Sequence, residues 1–353
     1  MRKYYLFMLL IGIYGFIISE IQAQELISSA PFATGLSLQP AFCGVYEGDW
    51  RLSMHAFNRN IVQNQSQNGK GSILEMNHYS MQLERDIKNK WFAGAGGLWL
   101  DSERYPGLSV QHAQGVLAYE VPLGTRARYH RLRAGFQGGA IQYVIDPQSF
   151  SFEDQFDGRD FSRTSAQNNA QESIIRYDMS VGLMMYRLQK IRGNPEFNYY
   201  GGLALRHLNR PQIGFFSTQT NELSLQTVAQ GGGVVRTRSA WELLGGMTLQ
   251  HQNARTNYMG QLYARYSLHE GNSILGKRLL QMTFGTLYRP NYSWSIVTGL
   301  SWEKNWRVAF VYDIRNSSNA MLTNERGGLG VVVQALWGGI KDENLNQQPF
   351  PDF

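Results

Sequence analysis

The chain has 353 residues, a formal net charge of +6 and a mean hydropathy of −0.34. The positive excess is mild and spread out with no Lys/Arg run, which excludes a nucleic-acid-binding surface. A single cysteine, Cys43, excludes an internal disulfide, and the absence of any later run of about 18 apolar residues excludes a multi-helix membrane protein.

At the N-terminus, Arg2 and Lys3 precede an apolar stretch from Tyr4 to Ile18, followed by Ser19-Glu20-Ile21-Gln22-Ala23. Basic residues, an apolar run and a small residue at the cut are the order of an export signal. The run is short of the roughly 20 apolar residues of a membrane helix, and Glu20 closes it. Residues 1–23 are therefore expected to be a signal peptide cleaved after Ala23. Residues 24–48 then form either a periplasmic lead-in or a plug. Within them, Pro40-Ala41-Phe42 reads as an extended lead-in fixed by proline's restricted φ, with Phe42 buried against the base of the 49–337 domain. Its functional reading is a plug or a docking point for a periplasmic partner, carried by Gln39, Pro40, Ala41, Phe42 and Gly44.

From Trp50 to Trp337 one unit recurs: about ten residues alternating apolar and polar, closed by a polar turn. In Tyr292–Trp302 one face reads Tyr292, Trp294, Ile296, Thr298, Leu300, Trp302, and the other reads Ser293, Ser295, Val297, Gly299, Ser301. Ten steps of about 3.3 Å tilted near 40° give roughly 25 Å of height, that of the apolar band on an outer-membrane barrel, with aromatics at the two lipid interfaces. The fold class expected over 49–337 is all-β, a transmembrane antiparallel up-and-down β-barrel surrounded by outer-membrane lipid.

In chain order the pattern predicts strands at 50–60, 74–85, 90–100, 109–121, 129–143, 174–187, 197–207, 240–250, 257–268, 278–288, 292–302, 305–313 and 327–337. These are thirteen, and bacterial single-chain barrels have an even number. A fourteenth is placed within 222–236, where Leu223–Val228 alternates ahead of Gly231-Gly232-Gly233. The chain then enters and leaves the barrel on the periplasmic side, with Glu303-Lys304-Asn305 as a periplasmic turn. Segments 61–73, 101–108, 144–173 and 314–326 fall outside the cell, and 338–353 is a polar periplasmic tail. Strand 90–100 resists orientation, because Trp91 and Trp99 share one parity while Phe92, Leu98 and Leu100 share the other.

Parity assigns the inward face elsewhere. Candidate lumen residues are Arg51 and Arg59 in the first strand, Glu120 in the fourth, Arg131 and Arg133 in the fifth, Asp178 in the sixth, then Glu242, Arg265 and Arg307. His55, His78, Gln82, His112 and Gln114 share that face, while Leu132, Phe136, Tyr177, Leu183, Trp241 and Phe310 point to lipid. An arginine facing lipid at mid-depth costs about 2–4 kcal/mol, and a one-residue slip would reverse every side chain on a strand. The charges therefore fix the register. The lumen reads as either a narrow pore or a plugged one.

The remaining candidates are weaker. Glu153, Asp154, Asp157 and Asp160 cluster in the long outer segment, but not at the spacing of an EF-hand loop. They read as a solvated acidic loop, with calcium binding as the rival. The seven histidines show no metal-ligand spacing. There is no G-x-S-x-G, and Ser80 with His78 or His112 reads as hydrogen-bonding lumen wall, so no enzyme and no cofactor are expected. Gly94-Ala95-Gly96-Gly97 and Gly231-Gly232-Gly233 have no helical pattern after them, and glycine in a barrel wall marks bends or close approach.

Four segments carry a resemblance to a known family: Gln39-Pro40-Ala41-Phe42-Cys43-Gly44 after the signal peptide; Leu123-Gly124 with Leu132–Gly139 and Gln142-Tyr143; Gly201–Pro211; and Phe310-Val311-Tyr312-Asp313. In their order and spacing they resemble the PorP/SprF family of outer-membrane barrels associated with type IX secretion. The resemblance implies a component that helps secrete, or anchor at the cell surface, a protein bearing a type IX C-terminal sorting domain, within the secretion and gliding apparatus. It implies contact with periplasmic components of the same machinery. Gln39 in place of asparagine, and Cys43 in place of a small residue, depart from the family pattern. A passive channel or small-solute transporter is the alternative that the polar lumen supports.

Overall fold

The computed structural model describes residues 30–46, 48–62, 73–88, 93–105, 107–123, 130–146, 173–187, 196–214, 222–237, 240–270, 279–302, 305–315 and 327–338, side chains at 59–62, 73–76, 88, 196, 269–270 and 279 excepted. Fourteen antiparallel strands close into one barrel. They are β1 (Trp50–Val62), β2 (Ile73–Lys88), β3 (Ala93–Tyr105), β4 (Leu108–Pro122), β5 (His130–Ile145), β6 (Ser173–Arg187) and β7 (Glu196–Arg206). The second half is β8 (Gln226–Arg236), β9 (Trp241–Gln252), β10 (Arg255–Glu270), β11 (Leu279–Arg289), β12 (Ser293–Trp302), β13 (Trp306–Arg315) and β14 (Gly328–Trp337). Each strand pairs with its chain neighbours, and β14 closes on β1 from Trp50↔Trp337 to Asn58↔Leu329. The strand expected within 222–236 is β8.

The period-two pattern explains why the sheet closes with apolar side chains outward. Leu117, Tyr177, Leu203, Leu262, Phe310 and Leu329 stand exposed on the outer wall. At the end carrying the barrel's two termini, Trp50 stacks on Trp337 and Trp302 on Trp306, each with ring centroids 6.3 Å apart. Trp241 lies 4.8 Å from Tyr266 at the same end. Tyr177, Tyr288, Trp294 and Tyr312 are exposed towards the opposite end, so two aromatic girdles bracket the apolar band. The longest links, from β5 to β6 and from β7 to β8, leave the end opposite the termini.

Two expectations change. The segment 101–108 is not an outer loop: β3 runs to Tyr105, and its pairing with β4 continues to Tyr105↔Leu108. The polar run Asp101-Ser102-Glu103 suggested a loop, but a strand lining a polar interior tolerates charge on its inward face, and Asp101 is buried there. The same strand is now oriented. Trp99 faces inward and is buried, while Leu98 is exposed on the outer wall; Trp91 and Phe92 lie outside the described residues.

The interior is also less polar than parity suggested. Inward Val234, Leu244, Met259, Tyr263, Leu287, Val297, Val311 and Val332 form one buried apolar cluster with Ala30 and Ala33, and Phe32 packs against it. Oily side chains can face the lumen because the N-terminal segment lies inside the barrel and gives them something to pack on.

Candidate functional site

Residues 30–46 sit against the inner wall and are almost wholly buried. They form a one-turn helix, Gly35–Leu38, and a 3-10 turn, Pro40–Phe42. Gln39 between them is extended (φ −151°, ψ 109°), as favoured before proline. Pro40 opens the 3-10 turn, where a missing N–H costs nothing. The expected extended lead-in at Pro40-Ala41-Phe42 is thus a tight turn, closed by Phe42 N–H donating to Gln39 O at 3.1 Å and Cys43 N–H to Pro40 O at 3.2 Å.

A track of inward glycines receives this turn. A Cβ on Gly135 of β5 would lie 2.4 Å from Ala41 N and Pro40 C. One on Gly182 of β6 would lie 1.7 Å from Gln39 Oε1, and one on Gly202 of β7 2.8 Å from Gln39 Nε2. Only glycine admits the Pro40–Ala41 backbone this close to β5, while Gly182 and Gly202 leave room for the Gln39 amide. Gln39 Nε2 donates to Leu183 O at 3.2 Å, and Phe42 meets Tyr200 edge-on with centroids 5.9 Å apart. Gly44 has φ +76°, and a Cβ there would lie 2.1 Å from the Ala95 Cβ on β3. The family-like motif is therefore the part of the segment that fits the wall most closely.

Two ionic anchors hold the turn's C-terminal side. Arg133 donates from Nη1 to Glu120 Oε2 at 2.9 Å and from Nη2 to the Cys43 carbonyl. Glu120 also accepts Arg131 Nη1 at 3.1 Å and the Tyr186 hydroxyl. Across the segment, Glu84 accepts Arg51 Nη2 at 2.7 Å and the Gly44 N–H at 2.8 Å. Tyr46 donates to Glu84 O at 2.8 Å, and its ring lies 4.8 Å from the Arg51 guanidinium carbon. Each buried charge meets its opposite, which offsets the cost of removing it from water. Burial, then the Glu84 carboxylate, pushes both the Cys43 thiol and the Tyr46 phenol well above their ordinary ranges.

Of the other sequence candidates, Glu242 bridges Arg236 (2.7 Å) and Arg265 (3.1 Å). Asp178 holds His207 at 2.9 Å and Gln114 at 3.1 Å, and Arg307 is buried. Ser80 accepts the Trp99 indole N–H at 3.2 Å, while His78 turns Nε2 to Asp101 at 2.9 Å. The Arg59 side chain and Glu153, Asp154, Asp157 and Asp160 lie outside the described residues. Sequence reasoning passed over Glu84 and Tyr186, although parity with Gln82 and Asp178 places both inward. It also passed over Arg289, which donates to Asp313 at 2.7 Å. Beside the segment a small cleft is lined by Phe32, Leu38, Phe42, Arg51, Tyr200 and Gln261 among others.

Over residues 21–328 the sequence matches the family described as type IX secretion system membrane protein PorP/SprF. Among curated proteins none matches. Solved structures share the barrel at low identity. The TodX deltaS2S3 mutant monoaromatic hydrocarbon channel is 8% identical, covering 88% of this chain and 94% of its own, with a TM-score of 0.47. The CymD monoaromatic hydrocarbon channel is 8% identical, covering 91% and 96%, with a TM-score of 0.43. An outer membrane channel from Pseudomonas putida F1 is 9% identical, covering 83% and 98%, with a TM-score of 0.41.

Proposed function

The chain belongs to the PorP/SprF family of type IX secretion system membrane proteins, and from that premise we propose that it is a non-enzymatic outer-membrane barrel that helps secrete, or anchor at the cell surface, a protein bearing a type IX C-terminal sorting domain. In this reading the longer links of the barrel meet the cargo. The end carrying the termini meets periplasmic components of the secretion and gliding apparatus. The observation that supports it most is the docked N-terminal segment. The family-like motif Gln39–Gly44 is seated by glycines and two ionic anchors inside the barrel. A barrel filled by its own chain suits holding partners at its rims better than passing solutes.

The experiment is deletion of the gene, with each sorting-domain protein followed at the cell surface and in the medium. At least one is expected to leave the surface or to fail to reach it; unchanged retention of all of them refutes the proposal. The second reading, a passive channel, has the cleft beside the segment in its favour. Reconstitution into planar bilayers separates the two: silence is expected, and a steady conductance supports the channel.

A further inference from the structure

Three of the chain's seven histidines, far apart in sequence, meet on the inner wall of β1–β4. The register explains it. One cross-strand row reads His55↔Ser80, Ser80↔Asp101, Asp101↔His112. The next row towards the end opposite the termini reads Phe57↔His78, His78↔Glu103. All of these side chains share the inward parity. The donor atoms of His78, Asp101 and Glu103 lie within 4.8 Å of one another. His78 and Asp101 are buried and Glu103 is half-buried.

Beyond the role proposed above, we propose that His78, Asp101 and Glu103 bind a divalent first-row transition-metal ion such as Zn²⁺. One imidazole and two carboxylates are a donor set that suits such ions. A tetrahedral zinc about 2.1 Å from each donor holds its donors roughly 3.4 Å apart. His78 Nε2 and Asp101 Oδ1, 2.9 Å apart, separate by about 0.5 Å to admit the ion, which takes the place of the hydrogen bond between them. The surroundings supply what a metal site requires outside its ligands. Tyr105 donates its hydroxyl to Glu103 Oε2 at 2.7 Å and so fixes the orientation of that carboxylate.

An independent observation points the same way. His55 is 3% exposed, its ring centroid lies 5.1 Å from that of His78, and neither of its ring nitrogens has a hydrogen-bond partner among the described residues. A dry imidazole without a partner costs free energy, and a cation held next to it supplies one, directly or through a bound water. The ion would fasten β2 to β3 near the end from which the longest links leave.

The test uses the tag-free full-length chain in detergent, titrated with ZnCl₂ in competition with a chromophoric chelator. One equivalent is expected to bind. His78→Ala and Asp101→Asn are expected to abolish binding, and Tyr105→Phe to weaken it by roughly 10–100-fold through the loosened carboxylate. Barrel integrity is followed in each variant by heat-dependent migration on gels. Should the buried substitutions prevent folding, Glu103→Gln at the half-exposed position decides: it is expected to lower affinity by at least as much as Tyr105→Phe. Absence of stoichiometric zinc from the wild-type chain overturns the proposal, as does wild-type affinity in a folded Glu103→Gln variant.

Discussion

Substituting Gly135 by alanine tests whether the N-terminal segment is held by fit to the wall. The added Cβ would lie 2.4 Å from Ala41 N and Pro40 C, where ordinary contact begins at 3.4 Å. Both are backbone atoms on a proline-fixed turn, so no rotamer relieves the clash and the turn must retreat by about 1 Å. Overpacking of this kind costs about 1–3 kcal/mol. The retreat also stretches the Arg133-to-Cys43 and Gly44-to-Glu84 hydrogen bonds, and bonds to charged groups contribute about 1.5–3 kcal/mol each. A net loss near 2 kcal/mol multiplies the undocked population roughly 30-fold. The chain carries its own reporter. Cys43 is the sole cysteine, it is fully buried, and its raised pKa keeps the docked thiol inert. Maleimide labelling therefore reads the undocked fraction, and Gly135→Ala is expected to accelerate it about 30-fold. Gly260→Ala on β10, with nothing within 4 Å of its Cβ, is the control and is expected to label at the wild-type rate. Wild-type labelling of a folded Gly135→Ala barrel, or equal acceleration by Gly260→Ala, refutes the reasoning.

Arg133→Met removes the guanidinium that links Glu120 to the Cys43 carbonyl; breaking a buried pair on one side costs about 3–5 kcal/mol, read as a lowered urea midpoint, and a loss below about 1 kcal/mol contradicts it. On the outer wall Leu117 is 64% exposed, so Leu117→Arg is expected to cost about 2–4 kcal/mol on folding into lipid vesicles; a barrel insensitive to this change would place that face elsewhere than in lipid. Asn209 donates Nδ2 to Tyr177 O at 2.6 Å and accepts Met179 N–H at 3.1 Å, continuing the ladder of β6 after β7 has ended. Asn209→Ala is expected to cost about 1–2 kcal/mol locally, with faster amide exchange at Met179 and no change at Val181; uniform acceleration along β6 would argue against a local role.

The family-like motifs also gain physical meaning from the fold. Gly202 lies on the track under Gln39, and Leu208-Asn209 extends the pairing of β6 at Tyr177 and Met179. Asp313 pairs with Arg289 and Ser295. These residues are far apart in the chain, and each one's partner is visible only after the strands are paired.

Period-two alternation was enough to read most of the strands and the outer face, and the even strand number of bacterial single-chain barrels called for β8. Alternation was also enough to put Arg51, Glu120, Arg133 and Asp178 on the inward side, since lipid rejects charge. Alternation is blind to what fills the interior. It could not show that Gly135, Gly182 and Gly202 are small because Gln39–Ala41 lies on them, nor that Val297 and Val311 face inward against Ala30 and Phe32. It read Asp101 as loop because polarity alone does not distinguish a turn from a strand facing a polar lumen. Which carboxylate meets which arginine or histidine depends on cross-strand register around a closed ring, and that is set by pairings between segments as distant in sequence as the two ends of the barrel, Trp50 with Trp337.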